Sequence, residues 1–595
     1  MKKKGWNTWN VRSVTSHVCL PESFAISLGI KNYSKGQCLR EALIGRKERW
    51  VEKVLPGPHA YDGSYTSLEL EWEGVKVQVE TAHDGEHWFA RVTPLAKMVM
   101  APALTIEAAV LWNRPGYARR EGSRLVIENG TKTVTVQAGG TARHDEVVSE
   151  MTSPYLLVEL DGPVMVSTDP DRLAAAGTII DRSKADFLSS REQLSEVYNA
   201  MQICLAWDTI YDPFKDRIIS PVSRLWSCGA GGWVLFDWDT YFAAWMAGVE
   251  DKELAYANAV AITSEATETG FIPNFAHPSG FKSRDRSQPP VGAMTVQALC
   301  DMFKETVLAE KLFDQLLTWN RWWPEHRDMD GYLCWGSTPY ELVTGHKWEF
   351  EGVNGRFGGA LESGLDNSPM YDDVPFDEEK HLLMLADVGL MSLYVADCGA
   401  MVNLAARLGR IELVDELTAR AEYYGEKLKS MWCEKTGLFL NKNLVTGENC
   451  PRLSPTHFYP LLAGVATQEQ AERMINEHFF NPDEFWGEWI LPSIARNDPA
   501  YPDQSYWRGR IWAPMNFLVY LGLRNYDLPE ARKALVEKSE ALLLKEWREH
   551  GHVHENYCAD TGEGCNKNNS DRFYHWGGLL GLISVMEDKM EQTEK

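Results

Sequence analysis

Near residue 180 the chain changes its hydrophobic rhythm, and that change restricts it to folds in which a β-rich half precedes a helical half. From about residue 20 to 175, apolar and polar residues alternate with period two. The run Leu68–Glu80 (LELEWEGVKVQVE) alternates about Gly74 and predicts two strands joined by a turn. The run Arg124–Ala138 (RLVIENGTKTVTVQA) repeats the pattern, with Asn129-Gly130 as its hairpin turn. Short strands broken by Gly, Pro and Asn predict an antiparallel β-sandwich over residues 1–180.

Beyond 180 the period becomes helical. Ser189 followed by Glu192 has capping-box spacing and predicts a helix running to about Trp207. Further helices are expected at 238–248, 252–268, 290–307, 308–322, 385–408, 413–432, 455–465, 467–478, 507–524, 528–547 and 573–588. Twelve helices imply six helical hairpins closed into a ring over residues 181–595, making the whole an α+β multidomain chain. Long non-helical stretches separate them, at 208–236, 269–289, 323–384, 479–505 and 549–572. Long loops inside a folded domain usually carry function, and these contain nearly all the unusual residue clusters.

Composition narrows the ligand. The formal net charge is −24, with 60 Lys and Arg against 84 Asp and Glu. Such a surface repels nucleic acid and anionic membranes, so neither is expected as a partner, and a neutral substrate fits better than a phosphorylated one. Solubility is the plainer account of the same charge. The 11 cysteines are scattered with no Cys-x-x-Cys pair, which predicts no metal site and a reducing compartment. The start, MKKKGWNTWN, has basic residues but no apolar stretch after them, and no run is expected to span a bilayer. A cytoplasmic location follows as the expectation, with homo-oligomerisation left open.

Four clusters carry candidate chemistry. ESGLDNSPMYDD (Glu362–Asp373) offers a rigid Gly-x-Asp-Asn-Ser-Pro turn that can hold a carboxyl over a cavity. Among aromatic neighbours its pKa would rise toward that of a proton donor, although an ordinary Asx turn explains the same residues. QSYWRGRIWAPMNFLVYLGL (Gln504–Leu523) opens with Tyr506, Trp507, Arg508 and Trp512, a sugar-facing wall with a cation, or simply the buried start of a helix. HENYCADTGEG (His554–Gly564) sets Glu555 beside a Gly-rich turn, where a solvent-facing Glu is the plain alternative. GGWVLFDWDTYFAAWMA (Gly231–Ala247) places Asp237, Trp238 and Asp239 at a helix start, a polar grip on a sugar or a dipole-favoured cap. GFIPNFAH (Gly270–His277), Gln288-Pro289-Pro290 and FWGEWILPS (Phe485–Ser493) are further loop signals. Asp328-Met329-Asp330-Gly331 hints at a Ca²⁺ loop but lacks the remaining ligand spacing.

Taken together and in order, these clusters resemble glycoside hydrolase family 63 and its bacterial relatives, including the mannosylglycerate hydrolase-like enzymes and, more distantly, the trehalases. The shared elements are Trp238-Asp239-x-x-Phe242, Glu362-Ser-Gly-x-Asp366-x-Ser-Pro369, Tyr506-Trp-Arg-Gly-x-Ile-Trp512, and Glu555 followed by Thr561-Gly-x-Gly564. The resemblance covers the helical half; the N-terminal half matches only in kind. It implies an (α/α)₆ toroid and hydrolysis with inversion, with Asp366 as general acid and Glu555 as general base. Arg510 departs from the small residue or Pro of the relatives, and Cys558 and Cys565 flank the late turn.

Inversion needs two carboxyls about 6.5–9.5 Å apart, leaving room for water between base and sugar. No metal or cofactor is expected. Candidate sugar contacts are Trp238, Asp239, Gln288, Trp335, Glu362, Tyr506, Trp507, Arg508 and Trp512, with Trp486 and Trp489 as weaker wall candidates. The expected substrate is a small carbohydrate, an α-glucoside or α-mannoside such as a disaccharide or a glycosylated small acid. An inverting phosphorylase on a similar barrel and a sugar-binding protein without catalysis are the alternatives.

Overall fold

The computed structural model of the chain describes residues 5–48, 51–145, 150–340, 353, 355–566 and 570–594. By internal contact the chain divides into two compact units, Met1–Trp233 with Glu549–His552, and Val234–Arg548 with Val553–Lys595.

In the first unit the period-two half folds into two antiparallel sheets. One runs in the order Gly5–Asn7, Ser16–Leu20, Phe24–Asn32, Ala103–Val110, Tyr155–Glu159, Ala142–Arg143, with Gln37–Leu39 also paired to Phe24–Asn32. The other runs Tyr117–Glu121, Arg124–Glu128, Thr133–Ala138, Val164–Ser167, Trp88–Pro94, Val75–His83, Tyr65–Trp72, Lys53–His59. Side chains interdigitate between them: Trp6 of the first sheet meets Trp88 of the second at 6.2 Å, and His17 Nε2 lies 3.1 Å from Thr81 Oγ1. The hairpin expected about Gly74 is present. Trp72 pairs with Val75, and Glu73 and Gly74 both take positive φ (48° and 81°), the backbone that matches the twist of a two-residue hairpin. Asn129-Gly130 opens a longer loop between Glu128 and Thr133, where Asn129 Oδ1 accepts from the Thr131 and Lys132 amides.

Among the described residues of this unit are the α-helices α1 (Ala176–Ser190), α2 (Glu196–Asp208) and α3 (Arg224–Gly229). Helix α1 buries Ala176, Ile180 and Phe187 against Tyr65, Ala82 and Phe89 of the second sheet. Ser189 lies in the last turn of α1 instead of capping a helix. The cap of α2 is Ser195, whose hydroxyl accepts from the Tyr198 amide. Helix α2 packs on Lys53–His59 within this unit.

The second unit is helical: α4 (Asp237–Gly248), α5 (Lys252–Thr263), α6 (Gly292–Phe303), α7 (Val307–Arg327), α8 (Arg356–Glu362), α9 (Val388–Arg407), α10 (Ile411–Lys429), α11 (Gln468–Met474), α12 (Ala513–Leu523), α13 (Pro529–His550) and α14 (Leu579–Glu594). Two segments expected as α-helix differ. Residues Pro455–Leu461 form a 3₁₀ turn, in which Pro460 lacks the amide that the interior of an α-helix would need. The helix expected at 507–524 starts only at Ala513, with Pro514 in its first turn. Helix α4, α12 and the 455–461 turn are buried on every side, as all-round apolar segments must be, whereas α10 buries only Leu417, Tyr424, Gly425 and Leu428. The inner segments form a circuit of neighbours: α4 packs on α6, α6 on α9, α9 on 455–461, 455–461 on α12, α12 on α14, and α14 on α4. Consecutive helices α4/α5, α6/α7 and α9/α10 pack as hairpins.

Among the described residues one helix, α9, is long and apolar enough to cross a membrane, which the sequence reading did not anticipate; 78% of its apolar window is buried inside the protein. All eleven cysteines carry free thiols. The Asp328–Gly331 segment is a tight hairpin. Asp328 Oδ1 accepts from the Gly331 amide and Oδ2 from the Tyr424 hydroxyl, so its carboxylate is engaged in holding the turn.

Candidate active site

The long loops of the second unit converge around Tyr506. The first contributor is the turn after α8. The Ser368 amide donates to the Leu365 carbonyl at 2.7 Å, which sets Asp366 and Asn367 at the tip of a turn. Gly364 precedes it with φ 71°, and a Cβ there would stand 2.8 Å from Cζ2 of Trp238. Both the left-handed backbone and the approach of the indole therefore require glycine. Asp366 is half-buried. Burial pushes its carboxyl up to about 7, and the Arg286 guanidinium draws it down from a still higher value.

The second contributor is a two-residue turn with aromatics at its tip. Ser505 and Arg508 exchange backbone hydrogen bonds at 3.2 and 3.0 Å, and Tyr506 between them adopts φ 56°. Asn367 docks this turn onto the Asp366 turn: its Oδ1 accepts from the Trp507 amide at 2.8 Å, and its Nδ2 donates to the Ser505 carbonyl at 3.2 Å.

The third contributor carries Glu555. Ile511 and Tyr557 exchange backbone hydrogen bonds, so the strand leaving the Tyr506 turn pairs with the strand leaving Glu555. The Tyr506 hydroxyl donates to Glu555 Oε1 at 2.9 Å, and the Asp571 amide donates to Oε2 at 2.8 Å. A carboxyl that accepts at both oxygens is matched to the ionised form, which has no donor. Trp576 Nε1 donates to the Glu555 carbonyl at 2.8 Å. Arg510, fully buried, fastens the following hairpin by donating to Asn556 Oδ1, to Asn566 Oδ1 at 2.6 Å and to the Glu563 carbonyl.

The fourth contributor is the start of α4. Asp239 is buried and its carboxyl is pushed up to about 7, by burial first and by the charge of Asp366 in addition, against a hydrogen bond from Tyr574 at 2.8 Å. Asp237, two residues earlier, is fully buried and raised well above the usual carboxylate range by burial and by Asp239; the Gln288 backbone amide faces it. The Tyr506 hydroxyl, bonded to Glu555, also experiences the charges of Asp366 and Asp239, so all three carboxyls lie within electrostatic reach of one phenol.

The structure thus brings Trp238, Asp239, Gln288, Asp366, Tyr506 and Glu555 to one place. Other candidates do other work there. Trp507 and Trp512 stack face to face at 3.6 Å, with Trp576 edge-on to both and Trp238 beside Trp507 and Trp576. Those four indoles are buried and form the packed support of the Tyr506 turn. Arg508 holds Asp503 at 2.8 Å and both oxygens of Asp372 at 2.9–3.0 Å, bracing two loops. Glu362 is fully enclosed: Arg327 donates to its two oxygens at 2.6 and 2.8 Å, and the Ser287 and Gly336 amides at 2.9 and 2.7 Å. It anchors the loops that carry Gln288 and Trp335. Trp335 itself packs edge-on to Trp323 in the core. Trp486 lies among Phe479, Phe480 and Lys538, and Trp489 against Gly562 of the late turn.

Tyr574, Asp571, Trp576, Asn367 and Arg286 went unread in the sequence as site residues. Tyr574 and Trp576 sit where the final helix was expected to begin, where an aromatic cluster looks like core, and Asp571 lies at the end of the stretch expected as loop.

A half-buried carboxyl biased toward its proton and a second carboxylate held at both oxygens, on loops over a helical scaffold, are what a glycosidase would need. Residues 233–577 match the family model described as the mannosylglycerate hydrolase MGH1-like glycoside hydrolase domain, and the chain belongs to that family. It is 26% identical over 407 residues to the mannosylglycerate hydrolase MGH1 of Selaginella moellendorffii, covering 55% of this chain and 76% of that protein. Among solved structures it is similar in fold to the GH63 mannosylglycerate hydrolase of Thermus thermophilus in complex with Tris and D-glycerate (TM-score 0.51, 19% identity, 65% of this chain and 100% of that one). It is also similar in fold to a bacterial glucoamylase complexed with acarbose (TM-score 0.53, 12% identity, 98% of this chain and 94% of that one).

Proposed function

We propose that the protein is an inverting α-glycosidase whose catalytic domain is an (α/α)₆ toroid, with Asp366 as general acid and Glu555 as general base. The neighbour circuit of inner segments supports the toroid. The observation that carries the mechanism is the contrast between two carboxyls around Tyr506. Asp366 is biased toward its protonated form near neutrality, and Glu555 accepts at both oxygens. A carboxyl biased toward its proton suits the acid role, and a carboxylate held by donors at both oxygens suits the base.

In the proposed reaction Asp366 gives its proton to the glycosidic oxygen as the bond to the anomeric carbon breaks. Glu555 takes a proton from a water that attacks the opposite face, so an α-glycoside yields a β-product. Asp239 holds glycone hydroxyls, with Trp238 and Gln288 beside it. Glu362, Arg508, Trp507 and Trp512 keep these groups in place. An attacking phosphate would have to approach the carboxylates of Glu555 and Asp239, which favours water over phosphorolysis. The names of the relatives make an α-mannoside or α-glucoside of a small hydroxy acid the first substrate to try. Such a soluble substrate and the free thiols suit a reducing, cytoplasmic setting.

The test is hydrolysis of mannosylglycerate, glucosylglycerate and 4-nitrophenyl α-glycosides, with the first-formed anomer followed by NMR. Asp366→Asn and Glu555→Gln are each expected to lose at least about a thousand-fold in kcat, by analogy with loss of acid or base assistance. Hydrolysis surviving in both variants, or an α-product, overturns the assignment.

A further inference from the structure

One short segment holds both Asp239 and Glu555. The Tyr574 hydroxyl donates to Asp239 Oδ1 at 2.8 Å. Three residues earlier the Asp571 amide donates to Glu555 Oε2 at 2.8 Å, and two residues later Trp576 Nε1 donates to the Glu555 carbonyl at 2.8 Å. Tyr574 is buried, its ring packed 4.9 Å from that of Trp576, so the phenol has little freedom to leave Asp239. We propose that Tyr574 is a positioning residue that aligns Asp239 for the glycone and ties that alignment to the segment holding the general base. This rests on the reading of Asp239 as a glycone-binding carboxylate.

The physical argument is one of rotation and charge. A carboxylate at the start of a helix turns freely about its last side-chain bond, and a fixed donor on Oδ1 removes that freedom and directs Oδ2 to a sugar hydroxyl. Bound geometry of this kind is what converts contact into catalysis. The hydroxyl also favours the ionised form of Asp239, the form that accepts hydrogen bonds from a sugar, against burial and the charge of Asp366. The groups facing Asp239 are Asp237 on its own helix, Asp366 from the turn after α8, Tyr506 from the 505–508 turn and Tyr574 from this segment. Of these, Tyr574 is the one that donates to Asp239.

The test is a double-mutant cycle in the full chain. Kd for mannosylglycerate and for D-mannose is measured by calorimetry in the Glu555→Gln background, and kcat/KM against pH in the otherwise unaltered enzyme. Tyr574→Phe keeps the ring and should weaken binding about ten-fold, the worth of one hydrogen bond to a charged group. KM should rise with kcat changed far less, and the acid limb of kcat/KM should move to higher pH because Asp239 then ionises later. On Asp239→Ala, which removes the acceptor, the Tyr574→Phe change should add nothing. Unchanged Kd and acid limb, or equal weakening on both backgrounds, overturns the inference while leaving the acid–base assignment intact. Full binding by Asp239→Ala overturns the reading of Asp239 instead, and a parent that binds neither sugar overturns both.

Discussion

Tyr506 reaches Glu555 from a backbone that tyrosine seldom adopts: its φ is 56°, and its hydroxyl stands 2.9 Å from Glu555 Oε1. A left-handed conformation costs a non-glycine residue about 1–2 kcal/mol, and such strain persists where the surroundings over-determine it. Here they do: Asn367 holds the turn from one side, and the stacked Trp507 and Trp512 support it from the other.

Tyr506→Phe therefore tests whether the hydroxyl holds Glu555 for its proposed role as base. A hydrogen bond to a charged group contributes about 1.5–3 kcal/mol, so kcat should fall roughly 10- to 100-fold while KM stays close to its starting value. Steady-state kinetics on mannosylglycerate decides it, and an unchanged kcat would show that Glu555 is oriented without the phenol.

The second expectation concerns pH. A general acid works protonated. With its carboxyl pushed up to about 7, Asp366 remains mostly protonated at pH 6, where an ordinary Asp would be protonated in only about one molecule in a hundred. As pH rises through about 7, kcat/KM should decline. A rate that stays level to pH 9 would remove Asp366 from the acid role.

Glu362→Gln addresses the buried anchor. The pair Glu362–Arg327 is fully enclosed, and losing one charge leaves the other without compensation, at a cost of about 3–5 kcal/mol. Urea unfolding should show that loss together with weaker substrate binding, since the Ser287 and Gly336 amides lose part of their acceptor. Unaltered stability would mean that the guanidinium finds other acceptors.

A fourth test uses Asp397 on α9, a buried carboxyl with no assigned part in the proposed chemistry. Burial pushes its carboxyl up to about 7, although Asn320 donates to it at 2.7 Å and Arg420 lies nearby. The native state binds this proton more tightly than the unfolded chain, whose Asp titrates near 3.9, so its contribution to stability is lost as pH rises from about 4 to about 7. Asp397→Asn removes the dependence. The thermal midpoint of the variant relative to the parent should improve between pH 5 and pH 8, and a constant difference would contradict this.

How much of this was legible in the sequence depends on the reach of each interaction. The hairpin at Gly74 and the wholly apolar α4 are written in local periodicity. The start of α12 was misplaced because Tyr506–Trp512 has a helix-like apolar spacing, whereas its conformation is set by pairing with Tyr557 and docking on Asn367. Ser189 and Glu192 have cap spacing without capping, since α1 was already under way and Ser195 caps the next helix. Within one motif, Glu362 and Asp366 look alike as site carboxyls. Arg327, 35 residues earlier, separates them by enclosing the first. Tyr574 could not be read at all, because its partner lies 335 residues away.

The bond between Tyr574 and Asp239 also imposes an order in time. A ribosome delivers the Asp239 and Asp366 segments long before the residues that secure Glu555, so a nascent or prematurely terminated polypeptide carries the groups of the proposed donor side without a fastened acceptor. Competence would arrive only once the segment carrying Glu555, Asp571 and Tyr574 has been made, and fragments that stop before it would be harmless to the sugars around them.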